Sequence, residues 1–120
     1  MPRIYQSMFA LFLVSIIGCG LCSNTVVAEV GSPDGRLKAT WFIRDCGATT
    51  DFVTLVSVHV AGSSFRDPAD TVFIANGRWR LHMLWIEPRK LSIECEGCQQ
   101  RDIFRLVARL GDIDVVFGSH

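Results

Sequence analysis

Short apolar segments separated by turn residues extend along the chain from residue 24 to residue 117. In residues 37–45 every second side chain from Leu37 to Ile43 is apolar, so one face of a strand would be wholly apolar. Residues 52–60 are rich in β-branched side chains. Alternation and β-branching are typical of strands. The pattern therefore predicts strands at 24–30, 37–45, 52–60, 71–75, 80–86, 91–94 and 112–117.

Two turn motifs divide this pattern. Ser-Pro-Asp-Gly at 32–35 suits a type I turn, because proline presets φ and Gly35 accepts the left-handed position that follows. This predicts a hairpin with a three-residue loop and a G1 bulge. Asn76-Gly77 predicts a second turn, between the strands at 71–75 and 80–86.

Residues 101–110 fit two structures. Ile103, Leu106 and Leu110 have helical spacing, but the same segment also alternates as a strand, which the surrounding short turns and strands favour. We therefore predict an all-β fold, a small antiparallel meander of six or seven strands, with one short helix near 101–110 as the alternative.

The first residues have the pattern of a bacterial export signal. Arg3 is followed by an apolar run at 8–17, which is too short to span a bilayer but fits the central region of a signal peptide. Ile-Ile-Gly-Cys at 16–19 resembles a lipobox, in which Cys19 is lipid-modified and becomes the first mature residue. Ordinary signal-peptidase cleavage after Ala28 is the alternative.

We favour the lipobox because Cys19 directly follows the apolar run, whereas Ala28 lies well beyond it. The prediction is a lipoprotein signal peptide at 1–18 and a single small β domain at 19–120. The mature protein would be exported and held at the bacterial cell envelope by its lipid.

The charge balance excludes one broad class of partner. The chain has 120 residues, with 12 basic and 12 acidic side chains and a formal net charge of zero. General nucleic-acid binding requires a clear basic excess, so we predict no nucleic-acid partner. Removal of residues 1–18 takes away Arg3 alone and leaves 11 basic and 12 acidic groups. Membrane attachment would therefore depend on lipid rather than on net charge.

The five cysteines can be assigned to one lipid and two disulfides. Extending the predicted hairpin register outward places Cys22 opposite Cys46, where directly opposed residues can form a disulfide. Cys95 and Cys98 then pair with each other, and Cys19 carries the lipid. Cleavage at the alternative site would leave three cysteines, one of them without a partner.

Cys-Glu-Gly-Cys at 95–98 has other interpretations. A redox motif usually has a lowered thiol pKa, which the flanking Glu94 and Glu96 oppose, and a zinc site would need a second pair of ligands. We predict a structural disulfide, no metal and no cofactor. Thiol–disulfide redox activity of Cys95 and Cys98 is the alternative function.

Two polar clusters are candidates for binding. The turn that follows strand 37–45 is dense in oxygen-bearing side chains, which could bind a ligand or bond to nearby backbone; these side chains are Asp45, Thr49, Thr50 and Asp51. A second cluster suits acidic lipid headgroups or an acidic partner protein, with a solvated sheet edge as the simpler alternative; its residues are Arg78, Trp79, Arg80 and Arg89.

No catalytic residues are predicted. His59 and His82 lie within predicted strands, where solvated sheet residues are the simpler interpretation. Ser32 and Ser57 do not have the setting of a nucleophile elbow.

The order of several motifs resembles a family of small bacterial exported proteins of unknown function, many of which look like lipoproteins. The motifs are Cys22, Ser-Pro-Asp-Gly at 32–35, Asp-Cys-Gly-Ala-Thr-Thr at 45–50, Val-Phe-Ile-Ala at 72–75, and Trp85 with Pro88 and Leu91. The resemblance covers residues 19–117 and implies a secreted or membrane-tethered β domain without implying a reaction. This chain has Asn-Gly-Arg at 76–78, where relatives are often longer and contain histidine.

We therefore expect a non-enzymatic binding or structural module of the bacterial envelope. Its partners would be the membrane, through the lipid on Cys19, and a protein of the envelope. An immunity or inhibitor protein is one concrete form of this hypothesis.

Overall fold

The computed structural model describes residues 22–47, 50–64 and 69–119. The predicted signal peptide, the predicted lipid site Cys19 and the binding candidate Thr49 lie outside the described residues.

In these described residues nine strands form two sheets, which confirms the all-β prediction. The strands are β1 (Ser23–Gly31), β2 (Leu37–Asp45), β3 (Val53–Val60), β4 (Thr71–Asn76), β5 (Leu81–Glu87), β6 (Lys90–Cys95), β7 (Ile103–Leu106), β8 (Arg109–Leu110) and β9 (Ile113–Ser119). The first sheet has the order β1-β2-β3-β4-β7, and the second has the order β5-β6-β9-β8. All strand pairs are antiparallel except β6 and β9, which are parallel.

The connections differ from those of a simple meander. The strands β1 to β4 follow one another in the first sheet, but the chain then crosses to the second sheet for β5 and β6. It returns to the first sheet for β7 and crosses again for β8 and β9. Asn76-Gly77 therefore does not form the predicted hairpin turn; it begins a crossing between sheets. The segment 101–110 forms the strands β7 and β8, and a 3-10 helix at Gln100–Asp102 precedes them.

The two sheets pack face to face around one apolar core. The first sheet contributes alternate residues of β2, β3 and β4, and the second contributes alternate residues of β5, β6 and β9; these include Leu37, Ala39, Val56, Val58, Phe73, Ala75, Leu81, Trp85, Leu91, Ile93 and Val115. Full burial of one large apolar side chain stabilises a fold by about 1.5 to 3 kcal/mol. Trp85 also donates its indole N–H to the Val30 carbonyl oxygen at 2.9 Å, which links the second sheet to β1.

The turn between β1 and β2 is one residue longer than predicted. A three-residue loop at 33–35 would place Ser32 opposite Arg36, but the Ser32 N–H donates to the Leu37 carbonyl oxygen at 2.9 Å, so Ser32 faces Leu37. Inside the turn, the Asp34 carboxylate accepts hydrogen bonds from the Ser32 hydroxyl and the Arg36 N–H at 2.7 and 3.1 Å. These bonds lower the pKa of Asp34 below its ordinary value, the Ser32 bond having the larger effect.

A β-bulge at Val27 cancels this offset. On the turn side of the bulge Ala28 pairs with Trp41, and beyond it Val26 pairs with Phe42. The shift brings Cys22 opposite Cys46, and the two form a disulfide with a Cα–Cα distance of 4.0 Å. The predicted disulfide is therefore confirmed, although the predicted register near the turn was wrong by one residue.

Deletion of Val27 tests the role of the bulge. Since Val26 and Ala28 already pair with adjacent residues of β2, the deletion gives a regular ladder that keeps Cys22 opposite Cys46. We expect the disulfide to form fully, as counted by free thiols, and the free energy of unfolding to change by about 1 kcal/mol or less. Insertion of one alanine before Val27 is the control, because it moves Cys22 out of register. Free thiols at both positions in the deletion variant would contradict this interpretation.

Candidate functional site

The polar turn after β2 is bonded mainly to itself. The Asp45 carboxylate accepts the Gly47 N–H at 3.0 Å, and the Thr50 hydroxyl donates to the Gly47 carbonyl oxygen at 3.1 Å. Asp51 accepts a hydrogen bond from the Asn76 side-chain amide at 3.3 Å. These contacts fit the structural interpretation of the cluster, in which its oxygens bond to nearby backbone and side chains.

The crossing from β4 to β5 is held by one buried hydroxyl. The Thr54 side chain has no exposed surface; its hydroxyl donates to the Gly77 carbonyl oxygen at 2.7 Å and accepts the Trp79 N–H at 3.0 Å. The Trp79 indole N–H donates to the Asn76 carbonyl oxygen at 2.6 Å. Trp79 is thereby fixed in place, with its ring against two glycines of positive φ, Gly77 and Gly97.

Arg78 is placed over an aromatic ring. Its guanidinium carbon lies 4.0 Å from the centroid of the Phe52 ring, a cation–π contact. Gly77 holds the two together, because its N–H donates to the Phe52 carbonyl oxygen at 2.6 Å. Among the described residues, no carboxylate lies within ion-pair distance of Arg78, whereas Arg80 lies 3.6 Å from Glu96.

Two adjoining cavities join the two predicted clusters. One, of about 290 Å³, is lined by Ser23, Thr25, Val27, Ile43, Asp45, Phe52 and Arg78. The other, of about 320 Å³, is lined by Val27, Trp41, Ile43, Arg78, Trp79 and Arg80. We refer to Val27, Trp41, Ile43, Phe52, Arg78, Trp79 and Arg80 as the aromatic–arginine surface.

Arg89 does not belong to this surface. Its guanidinium lies 3.5 Å from the Asp34 carboxylate and 3.4 Å from that of Asp112. It therefore links the β1–β2 turn to the segment before β9, at the other end of β1 and β2 from the Cys22–Cys46 disulfide. In the structure it joins the two sheets and lies apart from Arg78.

Residue type alone did not identify Val27, Trp41, Ile43 and Phe52 as members of the surface. The signal that could have identified them is topological. In an antiparallel meander β2 and β4 finish at the same end of the sheet. The observed register places Arg44, Val53 and Asn76 side by side there. Ile43 and Phe52, which precede Arg44 and Val53 in the chain, are therefore close to the residues that follow Asn76.

The Cys95–Cys98 pair forms the second predicted disulfide. Cys95 is fully buried and Cys98 is 4% exposed. The turn between them includes Gly97, where a Cβ would lie 3.3 Å from the Trp79 ring. Thiol–disulfide exchange requires access of an attacking thiolate to a sulfur atom, so this burial favours the structural role over the redox alternative.

The two strand histidines are held by neighbours in their sheets. His59 Nε2 lies 3.3 Å from the Thr40 hydroxyl, and His82 Nε2 lies 3.2 Å from a carboxylate oxygen of Glu96. Within the described ranges, no three His, Cys, Asp or Glu side chains are grouped to hold a metal ion. In the same part of the chain, no helix is long and apolar enough to cross a membrane.

A larger cavity, of about 450 Å³, lies apart from the aromatic–arginine surface. It separates the edge of β7 from the end of β9, and its apolar lining includes Ile103, Phe104, Leu106 and Phe117 beside Cys98. Arg105 also lines it, but the Arg105 Nε donates to the Thr71 carbonyl oxygen at 3.0 Å. Gln100 and Ser119 complete its polar lining, and none of the residues predicted from the sequence to bind a partner lines it.

Comparison with known proteins gives no relative: no family model matches the chain, and neither a curated protein nor a solved structure matches it significantly.

Substitution of Gly77 tests how the surface is held. Gly77 and Gly62 both have positive φ, but only at Gly77 would a Cβ meet a side chain, the Trp79 Nε1 atom at 3.1 Å. We expect Gly62→Ala to lower the free energy of unfolding by about 1 kcal/mol from backbone strain alone. Gly77→Ala should lower it further and change the tryptophan near-ultraviolet circular dichroism. Equal unfolding free energies and unchanged spectra for the two variants would refute the predicted contact.

Proposed function

We propose that this protein is a non-enzymatic binding module of the bacterial cell envelope, held there by a lipid on Cys19. Its aromatic–arginine surface binds an anionic group presented at the envelope. The observation that carries the proposal is the convergence of two sequence-distant clusters, around Asp45 and around Arg78, on one surface beside the disulfide that begins β1.

The chemistry of the surface suits an anion attached to an apolar body. Guanidinium donates several hydrogen bonds in a planar fork that matches phosphate and carboxylate oxygens. The Arg78 guanidinium is oriented by the Phe52 ring, and Trp41, Ile43 and Val27 supply apolar surface next to it.

The position of β1 supports lipid attachment at Cys19 over cleavage after Ala28. The strand begins at Ser23 and pairs with β2 along its length, from Ser23 opposite Asp45 to Gly31 opposite Lys38. Cleavage after Ala28 would remove most of this strand and Cys22, and Cys46 would lose its disulfide partner. A mature chain that begins at Cys19 retains both.

Two disulfides support an oxidising location. Disulfides persist in exported proteins and are rare in the reducing cytosol. Both pairs close within one small β structure. The Cys22–Cys46 bond alone, which joins residues 24 apart, stabilises the fold by about 3.5 kcal/mol in the chain-entropy treatment.

The mass of the mature protein from its native membrane tests the anchor. We expect an N-terminal acylated Cys19 and the loss of four hydrogen atoms that two disulfides require. Reduction and alkylation before a second measurement supply the control, since four thiols should then be modified. A mature chain that begins at Glu29 would refute the proposal.

Charge reversal at Arg78 tests the surface. Arg78→Glu should reduce capture of solubilised envelope components, both protein and phospholipid, about tenfold, because a charge-assisted hydrogen bond contributes about 1.5 kcal/mol or more. Arg101→Glu is the matched control, since Arg101 is exposed on the 3-10 helix and outside the aromatic–arginine surface. Equal capture by the two variants, both shown to be folded, would remove this surface from the proposed function.

A further inference from the structure

We infer that the anionic partner is the membrane that holds the anchor, so that the aromatic–arginine surface rests on anionic phospholipid headgroups and sets the orientation of the domain. This inference rests on the proposed function, because it takes the lipid on Cys19 as given. It adds the class of ligand and the role of the contact.

The first support is position. The Cys22–Cys46 disulfide fixes the start of β1 at the end of the sheet where Ser23 and Thr25 line the first cavity. Only three residue steps separate Cys19 from Cys22, and they span about 10 Å at most. The aromatic–arginine surface therefore begins within a short distance of the bilayer.

The second support is the range of the membrane's electrostatic field. The potential of an anionic leaflet falls off over a Debye length, about 8 Å at physiological ionic strength. The reach of the anchor is of the same order. Arg78 lines the same cavity as Ser23, so a tether this short allows it to come within range of this potential.

The third support is the mixture of side chains. Val27 and Phe52 expose 47% and 37% of their surface, and both line the first cavity. Exposed apolar side chains beside an arginine suit the boundary between headgroups and acyl chains, where the apolar groups insert and the guanidinium meets phosphate.

The charge distribution favours a lipid over a broad acidic protein surface. Of the nearby cations, Arg80 lies beside Glu96, and Arg44 donates to the Asn24 side chain at 2.9 Å. Asp45 and Asp51 add negative charge around the same surface. One oriented guanidinium with apolar neighbours matches a single phosphodiester better than it matches an extended array of carboxylates.

Such a contact is weak by itself and gains from the anchor. A tether raises the effective concentration of the second contact, so a modest surface can stay bound once the lipid is inserted. Stable peripheral attachment commonly combines a lipid with a second signal of this kind. The consequence is a fixed orientation, with the aromatic–arginine surface against the headgroups.

Hydroxyl-radical footprinting of the mature lipoprotein tests this orientation. Phe52 is the reporter, and Phe104, which is 70% exposed on β7, is the internal reference. We compare detergent micelles, phosphatidylcholine vesicles, and vesicles that also contain phosphatidylglycerol. We expect labelling of Phe52 to be lost on the phosphatidylglycerol vesicles alone, while labelling of Phe104 stays unchanged.

Three variants sharpen the test on the phosphatidylglycerol vesicles. Each variant is referred to its own labelling in detergent micelles, because Arg78 lies over the Phe52 ring and its loss alone exposes that ring. Against that reference, Arg78→Glu should restore labelling of Phe52, Arg78→Lys should keep it protected, and Arg101→Glu should behave as the unchanged protein. A free-thiol assay that finds Cys22, Cys46, Cys95 and Cys98 all unreactive shows that both disulfides have formed and checks the folding of each variant.

The following outcomes would overturn the inference. They are full labelling of Phe52 on phosphatidylglycerol vesicles, equal protection on both kinds of vesicle, or protection that requires added envelope protein, which would favour a protein partner. The mass of the same sample separates the two proposals. Absence of lipid on Cys19 refutes the proposed function, whereas lipidated protein with an unprotected Phe52 refutes this inference alone.

Discussion

The crossing between the two sheets at residues 77–80 is the constraint on which the rest of the structure depends. A single buried hydroxyl, that of Thr54, accepts from Trp79 and donates to Gly77. The Trp79 ring then reaches the Cys95–Cys98 turn of the second sheet at Gly97. The contacts that position the two sheets also orient Arg78, so the aromatic–arginine surface and the core depend on the same residues.

Local sequence motifs predicted the local parts of the fold. The Ser-Pro-Asp-Gly motif specifies a turn, because its side chains and glycine act within a few residues of one another, and the alternating pattern specifies the strands on either side. The length of the loop and the bulge at Val27 depend on how β1 packs, so the sequence pattern did not contain them. The longer loop shifts the pairing of β1 with β2 by one residue, and the bulge at Val27 shifts it back by one. The predicted pairing of Cys22 with Cys46 is therefore still correct.

The turn at Asn76-Gly77 could not be assigned from its neighbouring residues alone. Its composition indicates a positive φ at the glycine, which the structure has. A hairpin and a crossing both use that conformation. The choice between them is made by Phe52 and Thr54, more than twenty residues away, which bond to Gly77. For the same reason Arg89 was grouped with Arg78, because its carboxylate partners Asp34 and Asp112 lie 55 and 23 residues away in the chain.

The parallel pairing of β6 with β9 has a consequence for the order of folding. The strands β1 to β4 can form as successive hairpins of neighbouring residues, whereas β9 joins β6 only after β7 has entered the other sheet. Parallel pairs need a long connection, and contacts distant in sequence form slowly. The second sheet is therefore incomplete until β9, Ile113–Ser119, has paired with β6. A chain with this topology therefore stays unfolded in part until residues 113–119 are free to pair with β6, however early the first four strands form.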